Sequence, residues 1–428
     1  MKGVRLRRHP YPFRCSLAIC SDLDRCSFAD FAKLHQFLNT KAETPFGEGL
    51  GLEIGDSFWM YSAGSQTDDA FSYFEGVTTR PSKYAEFIRD GIQTGYLDCL
   101  HTYGHFSQYG GFRRSLAEFA LQELDRYNLK VKVWTNHGDV HNFQNLLGHG
   151  LGDLPVDVQS SGDSVPVEEY HADVTLRYGM EFAWTGDNTD LIGQNRRYSL
   201  REYTNVRAIM CVRAVIKKML NRSIRPICDY DNHLILAQQL QDGRKIFTFC
   251  RFLPELRWGR DFGDDLKYAL SRRVLDKFEK NKGFMVVYVH LGKKRIPEIL
   301  SPETIECLRD LQCRFDSERI WVTTTSKLLT YNRVSRFLSW NCRTENGDII
   351  ITINGLDDPV KEVFLPSPQD CQGLTWYTPV PERTRVLLLN GQELRVATNP
   401  KDETGRRSVS VPLVPLDPTE WLSLHHPL

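Results

Sequence analysis

The chain has 428 residues, of which 41% are hydrophobic and 25% charged, so it can form one large domain with a full core and one smaller domain. The chain has 54 basic residues, lysine and arginine together, and 54 acidic residues, aspartate and glutamate together. This balance of charge gives no reason to expect nucleic acid as a ligand. No apolar run approaches the ~18 residues of a transmembrane segment, and the run at 17–20 is too short for an export signal. The 11 cysteines include no Cys-x-x-Cys pair, which indicates mostly inert thiols in a reducing compartment. We therefore expect a cytoplasmic protein.

From residue 17 to about residue 329, short β-type runs alternate with segments of helical periodicity. The predicted strands are residues 16–21, 97–102, 130–135, 181–185, 225–228, 284–290 and 319–324. The predicted helices are residues 28–38, 83–95, 113–127, 265–280 and 302–315. This alternation is typical of βα units around a mostly parallel sheet, either a barrel or an open α/β sheet.

The pattern changes after about residue 340, where β-type runs are separated by Asn-Gly, Pro and Asp. The predicted strands there are residues 348–353, 362–365, 385–389 and 408–411. Asn390 and Gly391 stand between two β runs and predict a hairpin. We therefore divide the chain into a first domain, residues 1–340, and a small β-sandwich-like domain, residues 341–428.

Ionisable residues follow the first two predicted strands of the first domain. In parallel α/β folds, functional side chains gather at the carboxyl ends of strands. Asp22 and Asp24 follow the first strand, and two such carboxylates can divide the work of binding a cation and accepting a proton. His101 and His105, four residues apart, predict a pair on one side of a helical turn that shares a metal.

Two later strands also end in ionisable residues. His290 ends an apolar strand, and Asp187 follows the strand at 181–185; each has a purely structural interpretation as well. Taken together, one carboxylate and two imidazoles, Asp24, His101 and His105, satisfy three positions of a tetrahedral Zn²⁺ site and leave one open. Such a site predicts metal-assisted hydrolysis. Co²⁺, Ni²⁺ and Fe²⁺ accept the same ligands.

The order of these residues resembles the polysaccharide deacetylase family, also called carbohydrate esterase family four. Asp22-Leu23-Asp24 resembles the family's first motif, His101-Thr102-Tyr103-Gly104-His105 matches its second, and Tyr288-Val289-His290 resembles its late motif. The resemblance covers residues 14–333 as scattered motifs. It implies a distorted (β/α) barrel followed by a small all-β domain, with an acetylated sugar as the substrate.

The resemblance also implies roles for single residues. Asp22 is the expected base, His290 the expected acid, and Asp24, His101 and His105 the expected metal ligands. Asp187, in a segment that resembles the fourth motif, is a further expected catalytic residue. The expected substrate-binding residues are Asn136, His137, Tyr103 and Trp184.

The third motif departs from the family pattern. There the family has an arginine that orients the base, whereas this chain has residues 134–139 without one. Either Asn136 and His137 replace the arginine, or the chemistry has changed. An alternative prediction is therefore a carbohydrate-binding or scaffold protein whose site has lost its activity.

Aromatic residues are concentrated in the insert at 43–81, which includes Trp59 and Tyr73. Two roles remain open for them. They can stack on sugar rings over the site, or they can belong to the core.

Overall fold

The computed structural model describes residues 3–63, 71–106, 111–136, 144, 169–196, 204, 232–240, 242–254, 261–295, 297–418 and 421–422. Within these ranges the fold is mixed α/β with several sheets. No helix in these ranges is both long and apolar enough to cross a bilayer.

The described residues form β-strands that we number in chain order. They are β1 (Arg5–Leu6), β2 (Cys15–Ser21), β3 (Glu43–Thr44), β4 (Gly47–Glu48), β5 (Asp56–Phe58), β6 (Tyr61–Ser62), β7 (Leu97–His101), β8 (Gly104–His105), β9 (Val133–Thr135), β10 (Phe182–Trp184), β11 (Asn188–Thr189), β12 (Ile235–Gln239), β13 (Lys245–Phe249), β14 (Arg251–Phe252), β15 (Phe284–Val289), β16 (Ile320–Val322), β17 (Leu338–Glu345), β18 (Asp348–Leu356), β19 (Thr375–Tyr377), β20 (Thr384–Leu388), β21 (Glu393–Leu394), β22 (Ala397–Asn399) and β23 (Ser408–Ser410).

The α-helices are numbered in the same way. They are α1 (Phe28–Asn39), α2 (Ala85–Thr94), α3 (Arg114–Arg126), α4 (Ala172–Tyr178), α5 (Leu266–Ala269), α6 (Arg272–Asn281), α7 (Pro302–Asp316) and α8 (Thr325–Phe337).

Two large sheets lie in the first part of the chain, together with the two-stranded sheets β3-β4 and β6-β8. One has the order β12-β13-β10-β9-β7-β5 and the other the order β11-β14-β15-β2-β16. All neighbouring strands in these two sheets pair in parallel except β12 and β13, which pair antiparallel. Only Cys250 separates β13 from β14, so this segment passes from one sheet into the other. We propose that the two sheets belong to the predicted distorted barrel, although no closed ring occurs among the pairings of the described residues.

Most predicted elements in this part are confirmed, with two exceptions. Predicted helix 265–280 is wrong as a single element, because Ser271 has an extended backbone (φ −55°, ψ 147°) and separates α5 from α6. The predicted strand at 225–228 lies outside the described residues. The strands β12, β13 and β14 were not predicted at all.

The C-terminal region contains two four-stranded sheets, β17-β18-β20-β21 and β1-β19-β23-β22. Trp340 and Trp376, one from each sheet, meet edge to face with ring centroids 6.2 Å apart. The strand β1 comes from the N-terminal end of the chain and pairs antiparallel with β19. The first residues of the chain therefore complete a sheet of the C-terminal region.

The hairpin at Asn390 and Gly391 is confirmed, since β20 and β21 pair antiparallel and Gly391 has a φ of +87°. The predicted strand at 362–365 is wrong, because only an isolated bridge between Leu356 and Phe364 forms there. The Asp358 carboxylate accepts the N–H groups of Val360 and Lys361 at 2.7 and 3.0 Å, which turns the chain before a strand can form.

Buried ion pairs connect α8 to both parts of the chain. Arg333 contacts the Asp358 carboxylate in the C-terminal region, and it donates to Glu181 Oε2, next to β10, at 2.9 Å. Both Arg333 and Asp358 are buried, so these charges depend on each other for compensation.

We expect Arg333→Met to lower the free energy of unfolding by about 3 to 5 kcal/mol, because it leaves Asp358 buried without a cationic partner. The double variant Arg333→Met, Asp358→Leu is the matched control, and it should recover much of that loss in denaturant unfolding. Equal losses in the single and double variants would contradict this account.

Candidate metal centre

The carboxyl ends of β2, β7 and β15 meet at one edge of the fold. Ser21 at the end of β2 is in register with Val289 at the end of β15, and Asp22 N–H donates to Val289 O at 2.9 Å. This register brings the residues after β2 next to His290, and His101 ends β7 beside them. Four of the predicted site residues, Asp22, Asp24, His101 and His290, therefore lie together.

Asp22 is held by an arginine that the sequence analysis did not identify. Arg251 on β14 donates from both terminal nitrogens to the two oxygens of Asp22, at 2.8 Å each. Asp22 is 2% exposed and Arg251 is fully buried. A bidentate pair of this kind fixes the orientation of the carboxylate as well as its charge.

Two aromatic rings hold the guanidinium of Arg251. Its central carbon lies 3.3 Å from the ring centroid of Trp184 and 4.1 Å from that of Tyr288. Guanidinium groups stack favourably on aromatic faces, and burial strengthens this attraction. Burial by itself would raise the pKa of Asp22, but the charges of Arg251 and His101 outweigh it and hold the pKa below its ordinary value.

His290 is held between two carboxylates. Its Nδ1 lies 2.8 Å from Asp261 Oδ2, and its Nε2 lies 3.2 Å from Asp24 Oδ2. Burial by itself would lower the pKa of His290, but the hydrogen bonds to Asp24 and Asp261 outweigh it and raise the pKa to about 10. The imidazole is therefore the proton-carrying group of this cluster at neutral pH.

Within the described part of the chain, Asp22, Asp24 and His101 form a group whose ligand atoms lie within 4.8 Å of one another. His101 Nδ1 is 3.6 Å from Asp24 Oδ2, and His101 Nε2 is 4.0 Å from Asp22 Oδ2. Imidazole and carboxylate donors suit Zn²⁺ and similar ions. The donor chemistry of this group fits a divalent metal. Asp24, whose side chain is 19% exposed, is the most accessible of the three residues.

His105 is not part of that group. The prediction that His101 and His105 share a helical turn is wrong, because Gly104 and His105 form β8, which pairs in parallel with β6. Gly104 is required there: it has a φ of +147°, and a Cβ atom would lie 2.0 Å from Tyr61 O. Both imidazoles nevertheless lie against the indole of Trp59, with ring centroids 5.8 Å away for His101 and 5.5 Å for His105.

The predicted substrate-binding residues occupy different positions. Trp184 is buried beneath Arg251, and Tyr103 is buried with its hydroxyl 2.6 Å from Thr175 Oγ1. Asn136 is also buried, next to the end of β9, and its N–H donates to Trp184 O at 3.1 Å. His137 lies outside the described residues. In the described structure Trp184 supports the site from the interior through Arg251, whereas Tyr103 packs against Phe112 and Trp134.

Asp187 supports the arginine through its backbone. The backbone carbonyl oxygen of Asp187 accepts the backbone N–H of Arg251 at 3.1 Å and the indole N–H of Trp184 at 2.9 Å. The carboxylate that contacts His290 Nδ1 belongs to Asp261.

Most of the aromatic residues of the insert belong to the core. Trp59, Tyr61, Tyr73 and Phe74 are all buried in one hydrophobic cluster with residues of α1, α2 and α3. Of the two alternatives, core packing is confirmed for these residues.

No protein-family model matches this chain, and no curated protein matches it significantly. The assignment of a function therefore depends on the residues of the site themselves.

Proposed function

We propose that this protein is a metal-dependent hydrolase that removes N-acetyl, or O-acetyl, groups from a sugar or polysaccharide. One observation supports it above others. Two proton-transfer groups flank Asp24 and His101, and each has a charged partner of its own. Asp22 is paired with Arg251, and His290 is paired with Asp261. Environments that separate an acid from a base in this way are typical of acid–base catalysis.

Asp22 is the proposed base. Arg251 keeps its carboxylate ionised, and although both oxygens accept a hydrogen bond from Arg251, each has a further lone pair. One of these lone pairs is able to accept a proton from the attacking water. Because the guanidinium is fixed by two rings, the carboxylate does not need to reorient during the reaction.

His290 is the proposed acid. Asp261 accepts a hydrogen bond from Nδ1, so the proton available for transfer is the one on Nε2, which faces Asp24. An amine leaves an acyl carbon readily only after it has been protonated. A raised pKa of His290 therefore favours an N-acyl substrate over an ester.

Asp24 and His101 would hold the metal, with His105 as the proposed third ligand. A divalent ion bound there would supply a Lewis acid that polarises the acyl carbonyl group. Asp22 is not proposed as a metal ligand, because Arg251 contacts both oxygens of its carboxylate and this contact competes with metal ligation. Each of the two aspartates then has one role.

The sugar part of the proposal comes from the resemblance to the deacetylase family. The nine cysteines of the described residues are free thiols, which supports the proposed cytoplasmic location.

The inactive-scaffold alternative depended mainly on the missing arginine of the third motif. Arg251 makes the contact to Asp22 that such an arginine would make, although it comes from another strand. We therefore favour the enzyme.

We expect the native chain to bind about one Zn²⁺ and His101→Ala to bind none, because His101 supplies one of the three proposed donors. His105→Ala should weaken binding, because His105 is the proposed third ligand. Titration calorimetry measures both, with His9→Ala as a control outside the site, since His9 contacts Ser16 near the opposite end of β2. Native affinity in His101→Ala would contradict the assignment.

We expect Arg251→Gln to shift the acidic limb of kcat/KM to higher pH, because Asp22 must be ionised and its pKa rises without the guanidinium. The assay is acetate release from an N-acetylated amino sugar across the pH range. Arg295→Gln, which removes a half-exposed arginine paired with Asp265, is the matched control. An unchanged acidic limb in Arg251→Gln would show that Asp22 is not the base.

We expect Asp261→Asn to shift the alkaline limb to lower pH. His290 must be protonated to act, and losing a carboxylate partner lowers its pKa from about 10. The same pH profile measures this, with Asp265→Asn as the matched control. A shift in the opposite direction would assign the alkaline limb to another group.

A further inference from the structure

The loop that follows β15 has three consecutive cations, residues 293–295, shortly after the proposed acid His290. This loop lies directly against the loop that follows β2, because a Cβ atom on Gly292 would collide with the Sγ atom of Cys26. The two loops also supply His290 and Asp24 to the candidate metal centre. The charged residues of both loops are therefore placed close to that centre.

Two of the three consecutive cations have carboxylate partners at short range. Lys294 Nζ contacts Asp30 Oδ2 at 2.5 Å, and Arg295 Nη2 contacts Asp265 Oδ2 at 2.9 Å. Ion pairs of this length satisfy the donors that they involve. These two cations are therefore compensated within the protein.

Lys293 is compensated less well. Its Nζ lies 3.6 Å from Asp261 Oδ2, which is beyond hydrogen-bonding distance, whereas His290 Nδ1 lies 2.8 Å from the same oxygen. The side chain of Lys293 is only 20% exposed, and its ammonium group lies 4.7 Å from the ring centroid of Phe262. Among the residues that the structure describes, none accepts a hydrogen bond from this ammonium group. A largely buried ammonium group with three donors favours a further acceptor.

Arg25 adds a second cation of this kind on the neighbouring loop. It follows Asp24 directly and is exposed, and it has no acidic partner in the described part of the chain. Lys293 and Arg25 are thus the least compensated cations of the two loops. Uncompensated cations beside a catalytic centre attract ligands of negative charge.

We propose that Lys293 and Arg25 select a substrate that carries an anionic substituent, a phosphate or a carboxylate, on its sugar. This inference rests on the proposed hydrolase function. Lys293 is on the Nδ1 side of His290, whereas the proton for the leaving amine comes from Nε2, which faces Asp24. The imidazole therefore separates Lys293 from the scissile bond. Lys293 is then suited to a substituent that stands across the sugar ring from the acylated nitrogen.

The test compares N-acetylglucosamine 6-phosphate with N-acetylglucosamine, by calorimetric titration of the full chain and by acetate release. We expect the native chain to bind the phosphorylated sugar at least about tenfold more tightly, as one added charge-assisted contact predicts. In Lys293→Gln this preference should fall to about threefold or less. Lys294→Gln, which removes the neighbouring cation that Asp30 compensates, is the matched control and should keep the preference.

The ratio between the two sugars is the decisive quantity. Losing Lys293 can also affect His290 through Asp261, but such an effect applies to both sugars and leaves their ratio unchanged. Equal affinity of the native chain for both sugars would overturn the proposal, as would equal loss of the preference in Lys293→Gln and Lys294→Gln. If Lys293→Gln folds poorly, the exposed Arg25→Gln takes its place and should also lower the preference. An unchanged ratio in that variant would remove Arg25 from the assignment.

The two readouts separate this inference from the hydrolase reaction itself. Acetate release from both sugars with equal kcat/KM would retain the hydrolase and overturn the anionic substrate. Preferential binding of the phosphorylated sugar without acetate release would support the selection of an anion and contradict the hydrolase. N-acetylglucosaminuronate, which has a carboxylate in place of the phosphate-bearing group, identifies the anion: tighter binding than that of the phosphorylated sugar would assign a carboxylate, and weaker binding a phosphate.

Discussion

A charged guanidinium group with no exposed surface is tolerated in a folded protein only where an opposite charge and hydrogen-bond acceptors meet it. Arg251 meets both in the carboxylate of Asp22. Its side chain starts on β14 and reaches past β15, over the ring of Tyr288, to the end of β2. The positions of three neighbouring strands and of Trp184 are therefore constrained by one ion pair. Removing either partner would leave a charge buried without compensation.

This pair also separates the roles of two aspartates that are only two residues apart. Asp22 is committed to Arg251, while Asp24 is 19% exposed and lies next to both His101 and His290. A carboxylate held by an arginine is suited to remain a base, and a more accessible one beside an imidazole is suited to bind a cation. On the other side, Asp261 gives His290 a partner of its own. The cluster thus has a base, an acid and a pair of metal donors, each defined by its neighbours.

Much of the first domain could be predicted from the sequence, because buried strands such as β2 and β15 are continuous apolar runs bounded by polar residues. Arg251 and Asp261 were not predicted, since neither belongs to a recognisable motif and each meets its partner only through the arrangement of strands. A signal for Arg251 did exist: a charged residue interrupts the apolar run from Ile246 to Leu253. The C-terminal sheet that includes β1 joins the two ends of the chain, which local patterns do not reveal.

The central claim is that Asp24 and His101 hold a metal while Arg251 keeps Asp22 apart from it. Anomalous X-ray diffraction from crystals grown with Zn²⁺ tests this most directly, because it locates the ion among named side chains. The account predicts one strong peak in contact with Asp24 and His101, with both oxygens of Asp22 still bound to Arg251. A peak at another site, or Asp22 turned away from Arg251 to bind the ion, would contradict it.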